Sequence, residues 1–487
     1  MVPQFNLNTQ SEEPLYRQLY GQIKAAILNE GLARGERLPP TRELAGSLGL
    51  NRTTVAAAYE LLESEGLILG QVGRGSFVQG APEKPNGLDW RALLGEEEEA
   101  IPAPTGARIS FAASVPSEAL FPLEEFRATC REVIESGAAA QILQYGPSMG
   151  YGPLRRYLLE QARGCGDAGP DDDILITSGC QQAFDLTQRV LASRGETVLL
   201  EDPVLLTMRN VFTRGGARVV GIPVGDAGID VEAMGRLVER ERPRLMLLTP
   251  NFQNPTGTTL AESARKEALS IARRAGVVTV ENDTYGALRY RGTAAPTLKS
   301  LDSSGDTILL NSFSKIAFPG LRVGWAIGPR YFIERLAEAK QARDRHSDQL
   351  SQAVLLRFAE SGRLAAHQKQ MLERGGERLT ACLEACAREL PAGSRYTRPE
   401  GGMNVWVTLP EPLQASEMAD RALREGVSFL PGKFFAVSRP QPHSLRLSFA
   451  GLEPEQILAG IAMLGRIFKS ELERAGSRRE EPAAALV

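Results

Sequence analysis

Between residues 174 and 327 the chain returns seven times to a short apolar run: 174–178, 197–201, 218–222, 244–249, 277–281, 307–311 and 323–327. Stretches with helical periodicity separate most of them. Runs this short, without the alternation that leaves one face in water, read as strands of a mostly parallel, seven-stranded sheet covered by helices on both faces. That architecture restricts where chemistry can sit, because ligands of open α/β sheets lie outside the carboxyl ends of the strands. From about 340 to 470 long helices alternate with strands such as Gly402-Met-Asn-Val-Trp-Val and Ser444-Leu-Arg-Leu-Ser-Phe, which predicts a smaller α/β subdomain. The expected division is a large part over about 150–335, a small part over about 108–149 and 336–474, and a flexible tail over 475–487.

Residues 1–80 follow a different rule. Leu15, Leu19, Ile23 and Ile27 recur four apart behind Pro14, the pattern of an amphipathic helix with proline in its first turn. Thr41–Leu48 predicts a short second helix, Gly49-Leu50 a turn, and Asn51-Arg-Thr-Thr the start of a third helix carrying Val55, Tyr59 and Leu62 inward. Two short helices joined by a glycine-containing turn form a helix-turn-helix. Gly66 to Val78 then alternates apolar residues around Gly73-Arg74-Gly75, as a two-stranded wing does. Arg42, Arg52, Thr53 and Thr54, near helix starts, and Arg74, at the wing tip, are the candidate DNA contacts. Charge alone does not demand such a partner. The net charge is −3, and residues 1–80 hold seven basic against eight acidic side chains, so binding rests on placement.

Residues 81–107, with Pro82, Pro85, Pro102, Pro104 and the run Glu96 to Glu99, predict a linker. Five cysteines without paired metal-type spacing argue against a disulfide framework or a zinc site, and a reducing cytoplasm is expected. No stretch approaches the roughly 18 apolar residues of a membrane-spanning helix.

The segments that follow the predicted strands carry the chemistry. Thr177-Ser178-Gly179-Cys180 opens a helix and suits an anion. Later come Asn254-Pro-Thr-Gly, Asp283-Thr-Tyr285, and Ser312-Phe-Ser-Lys315 with Arg322, in that order. Together these motifs resemble those of the fold-type I pyridoxal-phosphate (PLP) enzymes, the aspartate aminotransferase superfamily, over about 110–470. The resemblance implies that Lys315 forms the Schiff base with the cofactor aldehyde. It implies that Asp283 keeps the pyridine nitrogen protonated, and that Asn254 and Tyr285 bond the phenolic oxygen. Ser178, Gly179, Cys180, Ser312 and Arg322 are expected at the phosphate, with Tyr145 reaching the phosphate of a partner subunit. Arg446 is expected to grip a substrate carboxylate. Leu205 stands where the superfamily often places an aromatic residue that stacks on the ring.

Residues 10–80 resemble the winged-helix domain of GntR-type regulators through Leu38-Pro-Pro-Thr-Arg42, Leu48-Gly-Leu-Asn-Arg52, Ala58-Tyr-Glu-Leu-Leu and Gly73-Arg74-Gly-Ser-Phe. Joined to an aminotransferase-like part, this is the layout of the MocR subfamily. It implies a head-to-tail homodimer that binds an operator and senses an amino acid or amine through an external aldimine. Two rival expectations are an active aminotransferase and a regulator that senses PLP itself.

Overall fold

The computed structural model describes residues 5–8, 11, 13–29, 31–71, 75–79, 88, 90, 93, 101 and 106–480. The chain forms two compact units, Met1–Ala100 and Ile101–Val487, whose boundary falls inside the predicted linker.

In the first unit α1 (Leu15–Leu28), α2 (Thr41–Leu48) and α3 (Arg52–Ser64) precede a hairpin of β1 (Ile68–Gln71) and β2 (Gly75–Val78). Leu19, Ile23 and Ile27 of α1 are buried with Val55, Tyr59 and Leu62 of α3 in one core. The turn between α2 and α3 uses Gly49 at φ 67°, a conformation in which a Cβ is penalised. Asn51 then caps α3, its side-chain oxygen accepting the Thr53 N–H at 3.2 Å. Beyond the predicted hairpin, Leu38 N–H donates to Ser76 O and Gly35 N–H to Val78 O, so residues 35–38 flank the wing.

The second unit is built on a sheet of β3 (Asp172–Thr177), β4 (Thr197–Asp202), β5 (Arg218–Gly225), β6 (Gly228–Ile229), β7 (Leu245–Leu248), β8 (Val278–Asn282), β9 (Ile308–Ser312) and β10 (Gly324–Pro329). Their spatial order is β3-β10-β9-β8-β7-β4-β5-β6. All seven predicted strands are present, and the two-residue β6 adds an antiparallel edge. β10 also runs antiparallel, between β3 and β9.

Side-chain alternation fills both faces. Leu175, Val198, Leu200, Leu245, Leu247, Val280, Ile308 and Leu310 pack under helices Cys180–Leu191, Leu206–Arg214 and Arg330–Asp344. Their neighbours Leu199, Met246 and Leu248 pack under Val231–Glu241 and Glu262–Ala275. Ile174, Ile176, Leu309 and Trp325 pack under Gly152–Cys165 and Gln349–Glu360.

This packing corrects the predicted division. Helices Arg330–Asp344 and Gln349–Glu360 seal the large sheet through Ile333, Leu336, Leu355 and Phe358, so the large part continues well past 335. Helix Leu123–Ile134 joins it as well, with Phe126 and Val133 against Ala353 and Val354. Helical periodicity showed that these segments have an apolar side and not which sheet that side would cover. The small part has its own core, in which Leu379, Cys382, Phe429 and Phe468 lie between helices Arg363–Glu389 and Pro454–Glu480 and a second sheet. That sheet is β11 (Arg395–Tyr396), β12 (Asn404–Thr408), β13 (Leu430–Pro431) and β14 (Ser444–Ser448). The last helix runs to Glu480, so the expected flexible tail from 475 is helical up to that residue.

Phe212 is fully buried in the core of the large sheet. Phe212→Ala is expected to cost about 3–5 kcal/mol, read as a lower urea midpoint at unchanged transition slope.

Candidate functional site

The segments that leave β3, β7, β8 and β9 converge with β14 on one cavity of about 280 Å³. One end is built for an anion. Cys180 and Gln181 open helix Cys180–Leu191 and line the cavity together with Ser312, Ser314 and Arg322. Arg322 is held at φ 55°, and its guanidinium makes long hydrogen bonds, 3.4 Å to Ser178 O, 3.4 Å to the Ser314 hydroxyl and 3.5 Å to Pro319 O. A Cβ on Gly179, whose φ is 76°, would collide with Arg322 Nη2, so this close approach requires glycine. A helix N-terminus, two hydroxyls and an under-bonded guanidinium suit the phosphate of PLP.

Opposite lies a chain of charged and polar groups. Lys315 Nζ donates to Ser114 O at 2.8 Å and lies 5.9 Å from the centre of the Tyr285 ring. The Asn254 amide donates to the Tyr285 hydroxyl at 2.9 Å, and Arg446 donates to Asn254 Oδ1 at 2.9 Å. Arg446 also donates to Ala112 O and lies 5.0 Å from the centre of the Phe435 ring. Its Nε has no partner among the described residues. Burial lowers the Arg446 guanidinium to about 10, which leaves it charged at neutral pH. A buried cation hydrogen-bonded to a carbonyl and an amide, with no carboxylate, is suited to an anionic ligand. Leu205 lines the cavity with Phe184 and Met208, so the wall that the superfamily often makes aromatic is here partly aliphatic.

One expectation is overturned. Asp283 does not line the cavity; its neighbour Asn282 does. The Asp283 carboxylate accepts from Asn251 Nδ2 at 2.7 Å, and Asn251 Oδ1 accepts from the buried Arg265 at 2.7 Å. Burial raises the Asp283 carboxyl above the usual carboxylate range. The reason is strand alternation: Thr249, Asn282 and Ser312 continue the rows of Leu247, Val280 and Leu310, and all three line the cavity. Asp283 has the opposite parity. Counting in twos from the apolar residues was the signal that could have found Asn282.

Ser178 and Gly179 lie beside Arg322 and are not among the residues that line the cavity. The Ser178 N–H donates to Gln182 Oε1 at 2.8 Å, its hydroxyl lies 3.3 Å from that of Ser347, and the Gly179 N–H donates to Thr177 O. Gln181, Ser314 and Thr284 line the cavity and were not anticipated. Tyr145 is 70% exposed, packed on Arg345 and His346 and outside the cavity of its own chain. In the first unit Arg42, Arg52 and Thr53 are exposed and Thr54 is half-buried. Arg74 lies outside the described residues. Exposed Arg37, which sequence reasoning passed over, presents its guanidinium about 3 Å from where a Cβ on Gly75 would be. Among the described residues no group of His, Cys, Asp or Glu is placed to hold a metal ion, and no helix is long and apolar enough to cross a membrane.

Because Asp283 faces away from the cavity, Asp283→Asn is expected to leave the visible absorption band of bound PLP in place while costing about 1–3 kcal/mol of stability. A shifted band would return Asp283 to the site.

The aminotransferase class I and II model matches residues 111–464, and the bacterial gntR-family regulatory model matches residues 15–78. The HTH-type transcriptional regulator YdfD of Bacillus subtilis is 30% identical, over 95% of this chain and 98% of its own. The probable rhizopine catabolism regulatory protein MocR of Rhizobium meliloti is 27% identical, over 98% of each chain. Among solved structures, kynurenine aminotransferase of Pyrococcus horikoshii in complex with PMP superposes with a TM-score of 0.73 at 35% identity. It covers 76% of this chain and 92% of its own. With a gntR-type helix-turn-helix ahead of a class I and II aminotransferase fold, and regulators of the same layout matching nearly its whole length, the chain belongs to the MocR subfamily of GntR-type regulators.

Proposed function

We propose that the protein is a PLP-dependent transcriptional regulator whose aminotransferase-like unit takes up an amino acid or amine and thereby changes the affinity of the winged helix for its operator. The observation that carries this reading is one chain that joins a helix-turn-helix to a cavity containing both a lysine and a buried, carboxylate-free arginine. When bound, PLP supplies an aldehyde that condenses with amines and a ring that withdraws electrons. The phosphate is held by the helix start at Cys180 and Gln181 with Ser312, Ser314 and Arg322. Lys315 anchors the cofactor, Asn254 and Tyr285 bond its phenolic oxygen, and Arg446 takes the carboxylate of the incoming ligand.

Uptake matters to DNA only if it favours one conformation over another. A head-to-tail homodimer, with Tyr145 reaching the partner's phosphate site, would read two half-sites and convert such a preference into operator affinity. Arg42, Arg52, Thr53 and Thr54 are the proposed contacts on the helix-turn-helix, with Arg74 on the wing. The cytoplasm is the expected compartment for this work. The alternative of an active aminotransferase draws on the 35% identity to the kynurenine enzyme, and release of a keto acid from an added amino acid would favour it.

Lys315→Ala is expected to abolish the borohydride-reducible link to PLP while the protein still shifts, in a gel assay, a genomic fragment selected by the wild type. Arg52→Ala should weaken that DNA binding by about 1–3 kcal/mol with the cofactor spectrum unchanged. Loss of DNA binding with Lys315→Ala, or an altered spectrum with Arg52→Ala, contradicts the assignment of the two functions to separate units. Arg446→Ala should weaken ligand uptake by about 2–5 kcal/mol, seen as a rightward shift in a spectroscopic titration with amino acids.

A further inference from the structure

No Asp or Glu is among the side chains that line the cavity. Arg322 and the two serines serve one end, and the Lys315–Tyr285–Asn254–Arg446 group serves another. The remaining polar wall is Asn282 with Thr249 and Thr284, besides Gln181 at the helix start and Ser114, whose carbonyl accepts from Lys315. Asn282 is 4% exposed. Its carboxamide is oriented by its neighbours: Oδ1 accepts from the Thr284 hydroxyl at 2.5 Å, and Nδ2 donates to the Thr249 hydroxyl at 3.3 Å. An amide nitrogen carries two hydrogens. One lone pair of Oδ1 is therefore taken by Thr284, and Nδ2, with one hydrogen on Thr249, keeps a second hydrogen to donate to whatever the cavity holds.

We propose that Asn282 meets the ring nitrogen of PLP as a hydrogen-bond donor and keeps that nitrogen unprotonated, so that an amino acid taken up at the site is retained with its Cα–H bond intact. The inference rests on the PLP reading above. A pyridinium N–H⁺ needs an acceptor, best a carboxylate, whereas a neutral pyridine nitrogen needs a donor. Asn282 offers the second arrangement. Exchange of amines would not require the protonated ring: the nitrogen of the incoming ligand would bond to the carbon that Lys315 holds, the bond from that carbon to Nζ would break, and the two hydrogens of the ligand amine would pass to Nζ, with no oxidation or reduction. Removing the Cα proton is different, because the electron pair left behind must be drawn into the ring, and a neutral ring stabilises that developing charge less. The cavity is thus built to hold a ligand long enough to be read rather than to convert it. Asp283, one residue on, cannot substitute, because it is engaged by Asn251 and faces away from the cavity.

The test uses full-length protein loaded with PLP labelled with ¹⁵N in the ring, as wild type and as Asn282→Asp. The wild type is expected to show the ¹⁵N shift of a neutral pyridine and the variant that of a pyridinium. With α-deuterated L-alanine, L-glutamate and L-tyrosine as probes, loss of deuterium to water should be faster in the variant by on the order of 100-fold. A pyridinium shift in the wild type, or deuterium loss in the wild type as fast as in the variant, overturns the proposal. Should Asn282→Asp not fold, the wild-type ¹⁵N shift alone decides. Borohydride reduction separates the two levels of the argument. If no PLP becomes fixed to wild-type Lys315, the cofactor reading fails and this inference with it, whereas fixed PLP with a protonated ring overturns this inference alone.

Discussion

A sheet whose two faces are both sealed by helices can present polar groups to a ligand only along its edges and ends, and this constraint organises the second unit. Positions in the middle of a strand cannot carry chemistry here: Val198 and Leu200 lie under one layer of helices, while Leu199 lies under the other. Where the strands stop, the inward rows run out into Thr249, Asn282 and Ser312, and the apolar core gives way to a polar cavity without a change of direction. The cavity therefore inherits its rigidity from the core beneath it.

Buried polar groups must then be paired, and their pairing distinguishes framework from site. Arg265, fully buried, donates to the carbonyls of Pro250, Leu260 and Pro296 and to Asn251, which fixes the loop after β7. Asn251 passes the connection to Asp283, so this arginine–amide–carboxylate series is internally satisfied and holds the loops after β7 and β8 in register. Arg446 is satisfied differently. It bridges from the small sheet to Asn254 and Ala112, and its Nε and the nearby Ser114 hydroxyl lack partners among the described residues. The first network closes on itself and the second is open toward the cavity.

Much of this was legible in the residues. Lys315, Asn254, Tyr285, Ser312 and Arg322 stand in motifs that follow the apolar runs, Arg446 is expected from the family resemblance alone, and all six line the cavity with the expected Cys180. Asp283 was misread because a carboxylate two residues before a tyrosine matches the expected chemistry by type, while the direction of a side chain depends on parity within the strand. The Ser178-Gly179-Cys180 turn reaches the cavity through Cys180 alone. In the first turn of the helix after β3 the Gln182 side chain folds back to accept the Ser178 N–H, while Cys180 and Gln181 line the cavity.

The two-unit layout, the strands and most of the helices follow from local periodicity, caps and turns that a short window of residues contains. The residues also set which chemical groups are available. Which sheet the helices at 330–344 and 349–360 cover, and that Asn282 rather than Asp283 lines the cavity, emerges only from the folded chain. Both outcomes depend on surfaces brought together from distant parts of the chain, and the cost of leaving a side chain unburied or a polar group unpaired is set only once those surfaces meet.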